Sequence, residues 1–139
     1  MVLVPTILAF GIGITDLLEG KSAHLSSYTV TRKGEGQEIQ KAHGMTYFNL
    51  ASSFKNRIAE PLYVKSVYDE DAQTKDIELT THSGQECDIV IEGNLLVQVG
   101  EHQEILGPGD SIYYDSIVAH HLHSKDGNAK ILAVVYTPV

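Results

Sequence analysis

Residues 80–123 read TTHSGQECDIVIEGNLLVQVGEHQEILGPGDSIYYDSIVAHHLH. A polar cluster around His82 and Glu86 runs into a short apolar segment that ends at Gly93. A second glycine-rich turn at residues 107–110 is followed by His120. Two imidazoles and a carboxylate beside such turns are the donors that a small β-barrel needs at its mouth to hold a metal. The stretch therefore predicts both a type of fold and the position of a functional site.

Short β-rich segments separated by turn residues recur through the chain. The predicted strands are residues 28–31, 45–50, 62–68, 77–81, 87–91, 95–99, 103–106, 111–114, 118–123 and 130–136. Turn sequences such as Glu92-Gly93-Asn94 and Asp126-Gly127-Asn128 lie between the later strands. Because no helix-period segment interrupts this series, we predict an all-β sandwich or barrel, most simply a jelly roll.

The N-terminal residues 1–20 predict a short helical segment ahead of a β-barrel domain at residues 26–139. Pro5 suits a first helical turn, and Gly11 suits a C-terminal cap. The apolar residues 1–14 are too few to span a bilayer and lack the basic start and cleavage site of a signal peptide. The single cysteine cannot form an internal disulfide, so the sequence favours a cytoplasmic protein.

Length, composition and charge restrict the possible partners. A chain of 139 residues with 42% hydrophobic residues has the size of one domain and can build a core. A net charge of −8 argues against a DNA-binding surface within these residues and against an anionic membrane surface. We therefore expect no membrane partner.

His82, Glu86 and His120 are the candidate metal ligands. Imidazole and carboxylate donors suit iron, manganese, zinc, nickel or copper better than a soft thiolate site would. Gly84 lets the chain turn between His82 and Glu86 so that both side chains face one point. His120 comes from another strand, which a barrel brings close by wrapping.

These residues and their spacing resemble the two motifs of the cupin family. His82 stands at the second histidine of the first motif, Glu86 at its glutamate and Gly93 at its closing glycine. Pro108-Gly109-Asp110 and His120 match the core of the second motif, with a longer gap before the histidine. The resemblance covers residues 77–139 and implies the cupin double-stranded β-helix, a jelly-roll barrel.

The chain departs from the cupin pattern at three positions. Thr80 replaces the first histidine, Thr74 the first glycine, and Ser124 the closing asparagine. Two histidines and one glutamate can hold a metal facially and leave positions open for water or substrate. The same set is also consistent with an eroded site that binds an organic ligand without a metal, and the sequence leaves both alternatives open.

Thr80, Asp88 and Tyr114 are the candidate ligand-binding residues. Asp88 shares strand parity with Glu86, which directs it into the barrel unless a bulge turns it to solvent. Tyr113 and Tyr114 alternate, so one of them lines the barrel and the other the surface. An inward carboxyl favours a cationic or hydroxyl-rich ligand.

Strand parity also separates the histidines that follow residue 119. An inward His120 places Leu122 inward, and it places His121 and His123 on a solvated outer face. Cys87 alternates with the following isoleucines and is expected to be a small buried residue rather than a nucleophile.

Residues 5–19 resemble the last helix and exit of a helix-turn-helix domain of the phage-repressor type. Bacterial regulators in which such a domain is followed by a cupin are common, but the sequence contains no recognition helix. An ordinary N-terminal helical appendage is the alternative. The resemblance implies that residues 1–20 are a remnant of such a domain. It also implies a homodimeric sensor that reaches DNA only through an upstream domain.

Three functions remain open on the sequence alone. The leading one is a cupin domain of a transcriptional regulator that senses a small molecule in the barrel, with no catalytic residue. The alternative is a metal-dependent cupin enzyme, a dioxygenase or isomerase, in which Asp88 or Tyr114 transfers protons. The third is a structural or interaction cupin with neither metal nor ligand.

Overall fold

The computed structural model describes residues 27–136, so the predicted helix at residues 1–20 lies outside the described residues. Nine strands and one short 3-10 helix, Asp71–Gln73, make up the regular structure of this part. The strands are β1 (Gln37–Ala42), β2 (Met45–Asn49), β3 (Ala59–Ser66), β4 (Gln85–Glu92), β5 (Leu95–Val99), β6 (His102–Leu106), β7 (Ser111–Asp115), β8 (His120–Ser124) and β9 (Ala129–Tyr136). The predicted all-β jelly-roll architecture is confirmed.

The strands form two antiparallel sheets. The larger sheet has six strands in the order β1-β2-β3-β9-β4-β7, and the smaller has three in the order β6-β5-β8. β9 pairs along β3 on one side and along β4 on the other, which joins the first and second halves of the chain. Between residues 27 and 136, no helix is long and apolar enough to cross a membrane.

The core lies between the two sheets and follows strand alternation. On β4 and β9 every second residue is buried, so one face of each strand packs inward. The fully packed cluster consists of Met45, Val64, Val90, Leu95, Val97, Ile131 and Ala133. Burial of these aliphatic side chains is the main favourable term that holds the sheets together.

Two predicted strands are wrong and one strand was not predicted. Residues 28–31 form no strand, and of residues 77–81 only Thr80 pairs, in an isolated bridge with His120. β1 was not predicted because its sequence, QEIQKA, is polar and almost fully exposed at a sheet edge. An edge strand without a buried face gives no alternation to detect.

Gly93 lies in the turn that connects β4 to β5, and substitution of this residue tests how much the stability of the fold depends on that turn. Its φ is +82°, and a Cβ there would collide with the carbonyl oxygen of Asn128 and approach the Cα of Ala129 to 2.9 Å. A left-handed conformation alone costs a non-glycine residue about 1–2 kcal/mol, and the collision adds an overpacking cost of about 1–3 kcal/mol. We expect Gly93→Ala to lower the free energy of unfolding by at least about 2 kcal/mol in urea titrations.

Gly109→Ala is the matched control, because Gly109 has φ +90° but no heavy atom within 4 Å of the added Cβ. In this variant the free energy of unfolding should fall only by the cost of the left-handed backbone, about 1–2 kcal/mol. An equal fall in the free energy of unfolding in the two variants would show that the close contact of residue 93 with residues 128 and 129 does not affect stability.

Candidate functional site

The candidate site is assembled by backbone pairing between residues 80–84 and residues 116–120. Thr80 and His120 exchange two backbone hydrogen bonds, of 3.0 and 2.9 Å. The amide of His82 donates to the carbonyl of Ser116 at 3.0 Å, and the amide of Ser116 donates to the carbonyl of Gly84 at 2.9 Å. This irregular pairing brings His82 beside His120, although the two residues are far apart in sequence.

The three candidate metal ligands converge as predicted. One donor atom from each of His82, Glu86 and His120 lies within 4.8 Å of the other two. Nε2 of His82 is 3.3 Å from Oε1 of Glu86, and the two imidazole rings meet edge to face with centroids 5.1 Å apart. Glu86 and His120 are buried, whereas His82 is exposed at the mouth of the barrel.

Both imidazoles are oriented by the backbone. Nδ1 of His120 lies 2.7 Å from the carbonyl oxygen of Val118, and Nδ1 of His82 lies 3.1 Å from that of Ser83. A carbonyl oxygen only accepts, so each Nδ1 is the donor, which leaves Nε2 as the ring nitrogen that can bind a metal. Each imidazole is thus oriented by a partner outside the donor set.

Asp88 and Tyr114 line the barrel next to the triad, as the sequence predicted. Asp88 is completely buried on the same face of β4 as Glu86, and Tyr114 packs on His120 with ring centroids 4.9 Å apart. Within the described chain, both carboxyl oxygens of Asp88 and the hydroxyls of Tyr114 and Ser116 lack a hydrogen-bond partner. Buried polar atoms without a partner are rare in folded proteins, so these four are candidates for contact with a bound molecule.

Burial keeps the side chains of Asp88 and Tyr114 uncharged. Burial, reinforced by the neighbouring Glu86, raises the pKa of Asp88 to about 9, so its carboxyl is protonated at neutral pH. Burial, followed by the charges of Asp88 and Glu86, raises the pKa of Tyr114. The two side chains therefore present hydrogen-bond donors, not charges, to the cavity.

Tyr47 is an interior residue that the sequence analysis did not assign to the site. It lies on β2, and burial and then the charges of Glu86 and Asp88 raise its pKa. Its hydroxyl therefore remains a donor. The signal was strand parity, since Met45, Tyr47 and Asn49 alternate along β2 with outward residues.

Thr80, the third candidate ligand-binding residue, lies at the rim. It lines a cavity of about 130 Å³ together with Tyr47, Met45 and Leu122. Its side chain is exposed and its backbone is occupied by the bridge to His120. Thr80 thus positions a ligand histidine through its backbone, at the place where the cupin motif has a histidine of its own.

His121 and His123 point away from His120, as parity predicted, but they are not solvated. Both are half-buried, and Nε2 of His121 lies 2.8 Å from Nδ1 of His123. They line a cavity of about 400 Å³ formed with residues 66–78. Burial and then His123 lower the pKa of His121, while burial and then Lys125 lower that of His123.

The structure also shows the direction of Tyr113 and Tyr114 and the burial of Cys87. Tyr113 is 65% exposed, so Tyr114 is the inward member of the pair. Cys87 is half-buried rather than buried, because it lies on the outer face of β4 opposite to Glu86 and Asp88.

Comparison with known proteins shows what this barrel is similar to. Residues 68–135 match the family model described as the cupin domain. This similarity agrees with the cupin-like motifs at His82, Glu86 and His120. A search of curated proteins found no significant match to the chain.

Solved structures of a metal-containing epoxidase share the fold. An iron(II) HppE structure has 21% identity and a TM-score of 0.67, over 79% of this chain and 60% of that chain. Hydroxypropylphosphonic acid epoxidase from S. wedmorenis has 22% identity and a TM-score of 0.66, over 78% and 59%. Iron(II) HppE with the alternative substrate (S)-1-HPP has 20% identity and a TM-score of 0.68, over 84% and 65%. This chain therefore spans about three fifths of the length of these proteins, and the likeness establishes the fold alone.

The raised pKa of Asp88 predicts a pH-dependent stability in metal-free protein. The carboxyl binds its proton in the folded state up to pH about 9 but loses it in the unfolded state above the ordinary value of 3.8. The folded state then holds more protons, so stability falls as pH rises between these values. We expect the free energy of unfolding to drop by more than about 1 kcal/mol from pH 5 to pH 8, the equivalent of one pKa unit.

Asp88→Asn removes the titrating proton and keeps the shape, so its stability should change less over the same range in urea titrations. Parallel pH profiles in the two proteins would show that Asp88 is charged in the folded state.

Proposed function

We propose that this domain binds one divalent transition metal through His82, Glu86 and His120 and oxidises a small polar molecule held in the barrel. The observation that carries the proposal is the convergence of three donor atoms within 4.8 Å, with both imidazoles held in the ligating tautomer. Two histidines and one carboxylate around open positions are the donor set of non-haem iron(II) oxygenases.

The donor set fits a borderline divalent metal and favours iron(II). Nitrogen and carboxylate donors without a thiolate suit iron, manganese, cobalt and zinc. Similar solved structures are iron(II) and cobalt(II) forms of HppE, which supports the same choice of metals. When bound, the metal supplies Lewis-acid and one-electron redox chemistry at its open positions.

Polar side chains beside the triad would contact the substrate. Tyr114 and protonated Asp88 present hydrogen-bond donors beside His120, and these donors orient the oxygen atoms of a polar substrate. Tyr47 and the aliphatic core exclude water from the inner end of the barrel. Thr80 lies at the rim, where it would contact a substrate that enters the barrel.

Metal analysis of purified protein tests the site directly. Chelator-treated protein reconstituted with iron(II) without oxygen should retain one equivalent after desalting, measured by elemental analysis. His82→Ala, Glu86→Ala and His120→Ala should each retain less than about one tenth of that amount, because each removes one of three protein ligands.

His102→Ala is the matched control, since His102 is exposed on β6 and outside the cluster. It should bind the metal like the unaltered protein. Equal metal loss in the control, or metal retained in all three ligand variants, would contradict the assignment.

Oxygen consumption tests the redox part of the proposal. Iron-loaded protein mixed with hydroxylated small acids should consume oxygen, and the His120→Ala variant should not. A protein that binds iron at this site but consumes no oxygen with any substrate would leave the metal site intact and overturn the oxidase function.

A sensor of a transcriptional regulator is the second candidate function. It is supported by the orphaned polar atoms of Asp88, Tyr114 and Ser116, which a bound molecule would satisfy, and by the repressor-like sequence of residues 5–19. Such a protein would act in the cytoplasm as a homodimer and contact DNA through an upstream domain. A ligand that raises the melting temperature without being consumed would favour this function.

A further inference from the structure

A further cavity lies on the outer face of the six-stranded sheet, away from the barrel interior. Its volume is about 470 Å³, within the range of small-molecule sites. Val64 of β3 and Ile131 of β9 point into the core. Tyr63, Lys65 and Lys130, which are next to them in sequence, point to the outer face and line this cavity. The residues that line it are Thr31, Arg32, Lys33, Gly34, Leu50, Tyr63, Lys65 and Lys130.

The charge of this cavity opposes the charge of the chain. Four of the chain's ten Lys and Arg residues line it, in a chain of net charge −8. None of the eight residues described as its lining is acidic. Clustered cations in a concave surface focus a positive potential, which raises the local concentration of anions.

Two of these cations oppose each other directly across a strand pair. Lys65 of β3 and Lys130 of β9 are register partners on the same outer face. Like charges in that position destabilise a sheet, and opposite charges would stabilise it. Glu92 offsets part of the repulsion, with its carboxylate 3.5 Å from Nζ of Lys130, while Nζ of Lys65 lies 5.5 Å above the ring of Phe48.

We infer that this outer cavity binds a small molecule with at least two negative charges, held by Lys65, Lys130 and the Arg32-Lys33 pair. Lysine and arginine bind phosphate and carboxylate groups by charge-assisted hydrogen bonds. Tyr63 and Leu50 provide an apolar wall for the organic part of the ligand. The inference is independent of the metal site, because none of the metal ligands lines this cavity.

Phosphorylated and polycarboxylic molecules share this chemistry, and calorimetric titration of metal-free protein distinguishes them. Pyrophosphate and citrate serve as the two probes. We expect at least one of them to bind with a one-to-one stoichiometry and with an affinity that falls as salt rises. Tighter binding of pyrophosphate would identify phosphates as the ligand class, and tighter binding of citrate would identify polycarboxylates.

The double variant Lys65→Gln/Lys130→Gln should bind the probe about tenfold more weakly or worse, because each lost contact is a charged hydrogen bond. Lys41→Gln/Lys55→Gln is the matched control, since it removes two exposed positive charges outside the cavity. It should change affinity by less than about twofold. Arg32→Gln/Lys33→Gln, in the loop that covers the sheet, should weaken binding like the first double variant.

Four outcomes would overturn the inference, and the last of them concerns the barrel mouth. The first is that neither probe gives a heat of binding up to about 5 mM, and the second is that the control variant binds the probe about tenfold more weakly. The third is that nucleic acid binds more tightly than either probe and that this binding is lost in Lys65→Gln/Lys130→Gln. His82→Ala should bind the probe unchanged. A loss in His82→Ala would place the anion at the barrel mouth instead.

Discussion

The backbone pairing of residues 80–84 with residues 116–120 is the constraint on which the candidate site depends. Four hydrogen bonds of 2.9–3.0 Å hold these two segments together, and only His120, the first residue of β8, belongs to a regular strand. Glu86 is placed independently, by β4, but His82 has no strand of its own to orient it. The position of His82 therefore depends on this pairing, and the isolated bridge at Thr80 orients the backbone of the candidate ligand His120.

The interior around the triad is polar, and burial raises the pKa of its Asp88 carboxyl so that this group is neutral. Protonated Asp88 and the phenols of Tyr47 and Tyr114 surround Glu86 with groups that burial keeps neutral. A second ionised carboxylate there would repel the first in a low dielectric. A divalent cation held by one carboxylate and two neutral imidazoles leaves a net positive centre, which suits an anionic or oxygen-rich substrate. The outer face of the six-stranded sheet differs from this interior, because its lysine and arginine side chains are charged and reach solvent.

The sequence predicted the parts of this structure that follow alternation and motif spacing. The all-β fold, the convergence of His82, Glu86 and His120, and the inward direction of Asp88 all arise from period-two parity and glycine turns. β1 was not predicted, since an exposed edge strand carries no apolar face. The half-burial of His121 and His123 was not predicted because it depends on residues 66–78, which cover them through tertiary packing that no local pattern encodes.

The register of β8 on β5 determines which histidines the barrel contains. In this structure Val99 faces His120 and Leu95 faces Ser124 across the pair. A shift by one residue would reverse every side chain of the strand, taking His120 out of the barrel and bringing His121 and His123 in. The run His120-His121-Leu122-His123 thus encodes two alternative donor sets. A single insertion or deletion between residues 116 and 119 would be enough for evolution, or for protein design, to exchange one for the other.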